Sequence, residues 1–523
     1  MADVADALST ESASAKDINC VIYSEIRLPP VLAKIVDTKQ FQRLRDISQL
    51  GCTPFVYPGA NHCRFTHSLG VFHLADIVVK TIQRQDRRQK LREHEEPLDV
   101  TEVDCLCVQI AALCHDLGHG PFSHFFDNLF MQTVAPQAHW KHEHGSVQML
   151  RYLRRSNPEV EQTLRQYLRD IDFVFIEEMI DGPTGPVEQT DWPYRGRPKN
   201  KSFLYDIVSN KHDGLDVDRF DYFLRDSLAT DVGVPFNKRT LKRLLGAVRV
   251  MVCNGLRRIC YAEKVKNDLI SAARTRYRLH DVVYRHKTIA ACEYILLKAF
   301  QLADKHIRLK ADDGSWWSIS ESVNEMSAFV KLSDNSIFER ITVALEKDPE
   351  NEDLKTAQRW IDMLHQRCLP KSVGQCSVTS AYSDQFETGC RPELAQKIFG
   401  HDQSIPLDNV IVFVNKLHYG MGQENPVLMV PFYNHKNDSQ SARLLTKKEF
   451  GPDLPSEFAV VYIHVYVRRD NAHQGLGDQV YKLFKNWCEN NSFTPQKRPS
   501  AHLTAPSQNG SSIVAVVENA LHA

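Results

Sequence analysis

From about Ile18 to Ala303, apolar side chains recur at three- and four-residue spacing, the period of helices that bury one face. Charged or Pro/Gly-rich stretches interrupt the pattern at Arg84 to Pro97 and at Gly182 to Lys201, as surface insertions in one large helical domain would. The first interruption carries Arg84, Arg87, Arg88, Lys90 and Arg92 and then Glu93, Glu95 and Glu96, the make-up of a solvated helix extension rather than of a ligand site. The run Val108-Gln109-Ile110-Ala111-Ala112-Leu113-Cys114 predicts a buried helix, with Thr101 and Asp104 at capping-box spacing to open it and Gly118 placed to close it. A second periodic run, Phe72 to Ile82, puts His67 in the first turn of its helix. After Ser372 the character changes. Val410 to Val414, Val427 to Val430 and Phe458 to Val467 read as strands, and a last helix gathers Val480, Leu483, Phe484, Trp487 and Cys488 on one face. From Asn490 onward Pro, Ser, Asn and Gln take over. The expected fold is mainly α, a large helical core with a smaller C-terminal α+β lobe. Its divisions are a disordered tail over 1–15, the helical domain over 16–370, the lobe over 371–490 and a flexible tail over 491–523.

Composition narrows the function classes. The 523 residues are 42% hydrophobic and 25% charged, ordinary for a globular chain with a large core and a further lobe. A formal net charge of -1 supplies no global basic field, so nucleic-acid binding would need a local patch. The 13 cysteines form no CxxC pair, and the closest, Cys105 and Cys107, fall in the buried helix; they read as reduced thiols of an intracellular protein. Met1 to Ala15 has neither a basic n-region nor an apolar h-region, and no apolar run approaches a membrane span, so neither secretion nor membrane insertion is expected.

The chemistry concentrates in Cys114-His115-Asp116-Leu117-Gly118-His119-Gly120-Pro121-Phe122-Ser123-His124. Two adjacent ionisable side chains ending so apolar a run are costly to bury, and a bound cation compensates both. The dipeptide alone fits cap or core chemistry equally well, since His212-Asp213, His280-Asp281 and His401-Asp402 repeat it. Context separates this pair from the others: His119, His124 and His142 add more imidazoles than a packed core usually holds. In Asp216 to Asp226, helical spacing aligns Asp218, Tyr222 and Asp226 in one acidic and phenolic stripe beside Phe220 and Phe223, which fits a cleft wall better than open solvent.

Taken in order, His67, His115-Asp116 and Asp218 match the metal signature of the HD phosphohydrolase superfamily. The likeness narrows further. Phe41 to Arg45, Gln49-Leu50-Gly51, Pro58-Gly59-Ala60, Cys114 to His124, Asn200 to Tyr205 and Asp216 to Tyr222 resemble the animal family of SAM-and-HD-domain deoxynucleoside triphosphate triphosphohydrolases, from about Lys16 to Asn490. The family's SAM domain is expected to be absent. The resemblance implies that His67, His115, Asp116 and Asp218 hold the metal, a donor set that suits zinc, iron or manganese and leaves positions for water and a phosphate oxygen. A cation there would bring the pKa of bound water from about 16 toward about 7. The implied reaction is attack at the α-phosphorus of a deoxynucleoside triphosphate, releasing deoxynucleoside and intact triphosphate, with Mg2+ bridging the phosphates. By the same resemblance His119, His142 and Asp127 form a catalytic network, and His124 is a candidate proton donor to the leaving oxygen. Arg64, Arg219 and Arg276 would hold the phosphates, with Arg219 standing where the family has lysine. Gln49 and Asp226 would read the 3′-hydroxyl, and Leu50, Tyr222 and Tyr284 would exclude a 2′-hydroxyl. Arg285 stands where the family usually has glutamine, near the sugar or base.

Regulation follows from the resemblance alone. In the family a guanine nucleotide and then a deoxynucleotide bind between subunits and assemble an active homo-tetramer. Lys16, Asp37, Gln42, Arg45, Arg367 and Lys371 carry over to the first site, so GTP activation is expected. Asn19, Val56, Lys264 and Lys287 carry over to the second, the dNTP site, but Asn237, Thr240, Ala262 and Asp268 replace an aspartate, two arginines and an asparagine, which weakens a triphosphate site. The resemblance also implies a nuclear location and antiviral defence. Thr494-Pro495-Gln496-Lys497 has the form of a proline-directed phosphorylation site, where phosphate would add nearly two negative charges. Two other readings stand beside the main one: a different HD-type phosphohydrolase, a nucleotidase or phosphodiesterase, or a catalytically silent scaffold that binds single-stranded nucleic acid.

Overall fold

The computed structural model describes residues 15–89, 97–183, 192–378, 386–422, 424–434, 441–451, 454, 459–469 and 475–497. Its core is a set of helices: α1 (Arg64–Gln89), α2 (Glu102–Cys114), α3 (His142–Ser156), α4 (Asp170–Asp181), α5 (Val217–Thr230), α6 (Lys266–Leu279), α7 (Lys287–Ala303) and α8 (Glu352–His365). Helix α2 packs against α1 and α4, and α5 lies across α1. The helix start expected at Thr101 is present: its hydroxyl accepts from Asp104 N at 3.1 Å and the Asp104 carboxylate accepts from Thr101 N at 3.0 Å. Every residue from Asp104 to Cys114 is buried, which accounts for a sequence apolar on almost all sides. Gly118 does not close α2 by a left-handed turn. The helix ends at His115, and Gly118 lies so close to the start of α3 that an added Cβ would sit 2.1 Å from Ser146 N. Helix α5 opens on Asp216, whose carboxylate accepts from Arg219 N at 3.0 Å, and ends on Asp231 in the left-handed region.

The helical region also contains strands that its periodicity did not predict. β1 (Lys16–Cys20) and β2 (Ser24–Leu28) form one hairpin; β3 (Val248–Cys253) and β4 (Leu256–Ala262) form another, turned by Asn254 and Gly255 at φ 52° and 76°. β5 (Leu309–Lys310) and β6 (Trp316–Trp317) make a third short pair. Beyond these lie β7 (Lys371–Val378), β8 (Gly389–Cys390), β9 (Val410–His418), β10 (Pro431–Tyr433), β11 (Arg443–Leu444), β12 (Ala459–Val467) and β13 (Thr494–Lys497). They belong to two sheets. One runs β13-β7-β12-β9-β8 and carries α9 (Leu476–Asn490), whose Val480, Phe484 and Cys488 close a second, smaller core. The other runs β11-β10-β4-β3, with β10 parallel to β4, so the C-terminal Phe432 and Tyr433 join the main core.

The expected border at 370/371 therefore does not coincide with the division of the cores. Strand β9 shows why, since its alternation sends Val412 and Val414 to the smaller core and Ile411 and Phe413 to the main one. Val427 to Val430 is not the expected strand. Pro426–Met429 is a 3-10 turn with proline in its first position, capped by Asn425 Oδ1 accepting from Val427 N at 3.0 Å. Thr494–Lys497, placed by the sequence in the flexible tail, pairs as an edge strand with β7. The expected tails over 1–14 and 498–523, and Lys90 to Glu96 of the charged interruption, lie outside the described residues. The result is the expected class, a helical core with a smaller sheet-containing C-terminal region. No helix among the described residues is long and apolar enough to cross a membrane.

Candidate active site

Three helices bring four donors together. His67, on the first turn of α1, directs Nε2 to within 2.9 Å of Asp218 Oδ1 on α5 and 3.6 Å of Asp116 Oδ2, just past the end of α2. His115 Nε2 lies 3.4 Å from Asp116 Oδ1 and 3.7 Å from Asp218 Oδ1. Both imidazoles are oriented from behind: His67 Nδ1 meets Asp221 Oδ2 at 2.7 Å, and His115 Nδ1 meets Ala112 O at 2.8 Å. Each ring thus turns Nε2 toward the carboxylates. The buried His115 Nε2 has no hydrogen-bond partner among the described residues, and donor atoms of His67, His115 and Asp116 lie within 4.8 Å of one another. An orphaned buried nitrogen among carboxylates is what a divalent cation resolves, so these residues fit a metal. Against the cost of burial, hydrogen bonds to Asp218 and Asp221 push His67 up to about 10.

A second cluster adjoins the first. His142 stacks on His119 with ring centroids 3.9 Å apart, and His124 lies edge-on to both at 5.1 and 5.2 Å. Asp127, in a π-helical turn (Phe126–Met131), binds His142 Nδ1 at 2.7 Å and accepts from Trp140 Nε1 at 3.2 Å. Although burial works the other way, the Asp127 carboxylate pushes His142 up to about 9. Burial and the charges of Arg64 and His142 hold His119 well below its ordinary value, and enclosure with His142 alongside brings His124 down to about 4. The turn that aims His124 is strained: Phe122 and Ser123 are both left-handed, at φ 59° and 55°, fastened where Phe122 N donates to Asp334 Oδ1 at 2.7 Å.

Both clusters face a cavity of about 830 Å3, ample for a nucleotide. All nine residues expected to contact substrate line it, as do His115, Asp116, Asp218, His119, His124 and His142; His67 and Asp127 stand behind the wall. Arg64 donates to Asp116 Oδ2 at 2.8 Å and to Ser123 Oγ at 2.9 Å, joining the first cluster to the strained turn. Arg219 threads between two glycines of positive φ; a Cβ on Gly214 or Gly420 would come within 2.6 or 2.5 Å of its Nη1. Asp226 accepts from Tyr284 Oη at 2.5 Å and meets His62 Nε2 at 2.7 Å. Strand β9 closes the cavity with Asn415, Lys416 and His418, and Arg276 donates to the His418 carbonyl.

A family model for the HD domain matches residues 64–201. The chain is 38% identical over 488 residues to deoxynucleoside triphosphate triphosphohydrolase SAMHD1 of Homo sapiens, covering 92% of this chain and 74% of that protein. To the Danio rerio protein of the same name it is 38% identical over 493 residues, 93% of this chain and 76% of the relative. This chain belongs to the SAMHD1 family. It is also 33% identical over 485 residues to the SAMHD1 homolog of Dictyostelium discoideum, covering 92% of this chain and 83% of that one.

The residues that likeness to the SAMHD1 family ties to regulation fall into separate contacts. Lys16 Nζ donates to Asp37 Oδ2 at 2.5 Å, and Arg45 Nε donates to Gln42 Oε1 at 2.7 Å while its guanidinium covers the Phe65 ring at 3.6 Å. Arg367 Nη1 donates to Phe55 O at 2.6 Å, beside Val56, and Lys371 opens β7 as an exposed residue. No hydrogen bond or ion pair among the described residues joins Arg367 or Lys371 to the other two pairs. Asn19 lies in β1, Lys264 in the turn after β4 and Lys287 at the start of α7. The departures from the SAMHD1 pattern have local duties: Asn237 Oδ1 caps the helix Lys238–Leu245 by accepting from Arg239 N and Thr240 N at 3.0 and 3.1 Å, Asp268 pairs with Arg243 at 3.1 Å, and Ala262 is buried at the end of β4. Thr494 is exposed on the edge strand.

Sequence reasoning missed Asp221, His62, Ser146 and the β9 residues. Asp221 had a signal, since three residues beyond Asp218 it faces α1 and not the cavity. Ser146 Oγ donates to His115 O at 2.5 Å and accepts from Gly118 N at 2.9 Å, a link that nothing in its surrounding sequence announces.

Proposed function

We propose that the protein hydrolyses deoxynucleoside triphosphates to deoxynucleoside and inorganic triphosphate in this cavity. One observation carries the reading: His67, His115, Asp116 and Asp218 converge, with an imidazole nitrogen among them that has no hydrogen-bond partner among the described residues, beside a cavity walled by arginines and tyrosines. Those four residues would hold zinc, iron or manganese, which when bound polarises the phosphoryl group and makes water a nucleophile at neutral pH. Arg64, Arg219 and Arg276 bind the triphosphate by charge-assisted hydrogen bonds, and Mg2+ carried in with the nucleotide would offset the remaining phosphate charge. Water adds to the α-phosphorus, the bond to the 5′-oxygen breaks, and a proton goes onto that oxygen. His142, kept charged at neutral pH by Asp127, holds the proton; His124, edge-on to it at 5.2 Å and also lining the cavity, is the second candidate donor, while His119 stays neutral. Gln49 and Asp226 hold the 3′-hydroxyl, and Leu50, Tyr222 and Tyr284 leave no room for a 2′-hydroxyl.

The same reading includes activation by GTP through assembly of a homo-tetramer. Support comes from the outward-facing Lys16–Asp37 and Arg45–Gln42 pairs, half-sites that a second subunit would complete. The dNTP activator site is weaker, because Asn237 serves as a helix cap and Thr240 supplies no cation.

The decisive test incubates the purified chain with dGTP, GTP and a divalent metal and separates the products. Deoxyguanosine and triphosphate support the reading; diphosphate or monophosphate products overturn it. Asp218→Ala is expected to abolish turnover and bound metal, and wild-type turnover in that variant removes Asp218 from the site. Sedimentation with and without GTP tests assembly, and an unchanged size refutes that part.

A further inference from the structure

We infer that Arg285 and Asn415 read the base of the bound nucleotide and favour guanine; this rests on the proposed function. The two residues arrive from elements that contribute nothing to the metal cluster. Arg285 follows the π-helical turn His280–Tyr284, and Asn415 comes from the middle of β9. Both line the cavity, together with Glu293 of α7.

Their hydrogen bonding is incomplete in one direction only. Arg285 Nη1 donates to Asn415 Oδ1 at 3.2 Å, which fixes the amide so that its oxygen is used and its nitrogen is left over. Asn415 is 4% exposed, and that Nδ2 has no hydrogen-bond partner among the described residues. A buried amide nitrogen without an acceptor is costly unless a ligand supplies one. Arg285 likewise has no carboxylate within ion-pair distance among the described residues, and desolvation lowers its guanidinium from the ordinary value. Glu293 stands on the same wall, its carboxyl pushed up to about 7 by burial with Arg285 opposing.

The wall therefore presents a forked donor, a second donor and one carboxyl. Guanine matches that set: O6 and N7 are adjacent acceptors for a guanidinium, and N1–H and the 2-amino group are donors for a carboxylate. Adenine puts an amino group where O6 would be, donor against donor. Cytosine and thymine have no N7.

The test measures dissociation constants and kcat/KM for the four dNTPs, with metal and saturating GTP present throughout, on the wild type, Arg285→Gln, Arg285→Lys and Asn415→Ala. Wild type is expected to favour dGTP over dATP by at least about fivefold, the lower range for one good bidentate pair. That ratio falls toward one in Arg285→Gln and Asn415→Ala. Arg285→Lys keeps the charge but loses the fork, so it loses the preference too; retention there would mean that charge alone acts. Equal binding and turnover of all four by the wild type, or a ratio unmoved in all three variants, overturns the inference. A dGTP preference in binding without triphosphate release leaves the inference standing and overturns the proposed reaction instead.

Discussion

Asp221→Asn replaces one carboxylate oxygen with an amide nitrogen and tests whether the candidate metal cluster depends on what orients it. Asp221 is fully buried and accepts from four directions: His67 Nδ1 at 2.7 Å, Arg225 Nε and Nη2 both at 2.8 Å, and Tyr23 Oη at 2.9 Å. Asparagine fits the same space but carries no charge, and its NH2 faces a donor on Arg225 in either orientation. Leaving the buried Arg225 without its carboxylate costs about 3 kcal/mol, the lower end for breaking a buried ion pair. Loss of the carboxylate behind a ligating imidazole should weaken metal binding 10- to 100-fold, about 1.4 to 2.8 kcal/mol. Tyr23→Phe is the control, since it removes one neutral hydrogen bond to the same carboxylate for about 1 kcal/mol and leaves the charge on His67 in place. Metal retained after dialysis against graded chelator gives the affinity, and urea melts give the stability. The reasoning is refuted if Asp221→Asn holds metal as tightly as wild type, or if Tyr23→Phe loses as much metal as Asp221→Asn.

Two further outcomes follow from packing and charge. Gly118→Ala drives a Cβ to 2.1 Å from Ser146 N and 2.3 Å from His142 O, backbone atoms that cannot swing aside, so a loss of about 3 kcal/mol is expected in thermal melts; Gly233→Ala, which meets nothing within 4 Å among the described residues, is expected to melt like wild type. His142 sits at about 9 when folded against 6.5 when unconstrained, so its pairing with Asp127 stabilises fully below about pH 6.5 and is lost as pH rises through 9. Asp127→Asn should therefore melt below wild type by a constant margin under pH 6.5, with the margin closing toward pH 9; parallel curves at every pH would contradict the pairing.

How far the sequence foretells the molecule depends on the range of the interaction. The Thr101–Asp104 box and the stripe of Asp218, Tyr222 and Asp226 were legible because capping and helical periodicity act within a turn or two. The β3–β4 hairpin was missed although Asn254-Gly255 is a strong local turn signal; apolar spacing on either side masked it. Val427 to Val430 had strand composition, yet Asn425 and Pro426 start a tight turn there. Gly118 reads locally as a helix stop, and only the approach of α3 reveals its use. Asn415 reaches the cavity, and His62 reaches Asp226 in its wall, by tertiary packing alone, with no periodic pattern to betray them.

The parallel pairing of β10 with β4 has a consequence for biosynthesis. Phe432 lies opposite Tyr261, roughly 170 residues earlier in the chain. A ribosome adding about 5–20 residues per second leaves that edge of β4 unpaired for roughly 10 to 30 seconds, and an unpaired edge is a template for association with other chains. Premature stop codons between the two strands would make the exposure permanent. Those that fall before β9 would also remove that strand, leaving a polypeptide that carries every candidate metal ligand but has an open side where the nucleotide should be enclosed.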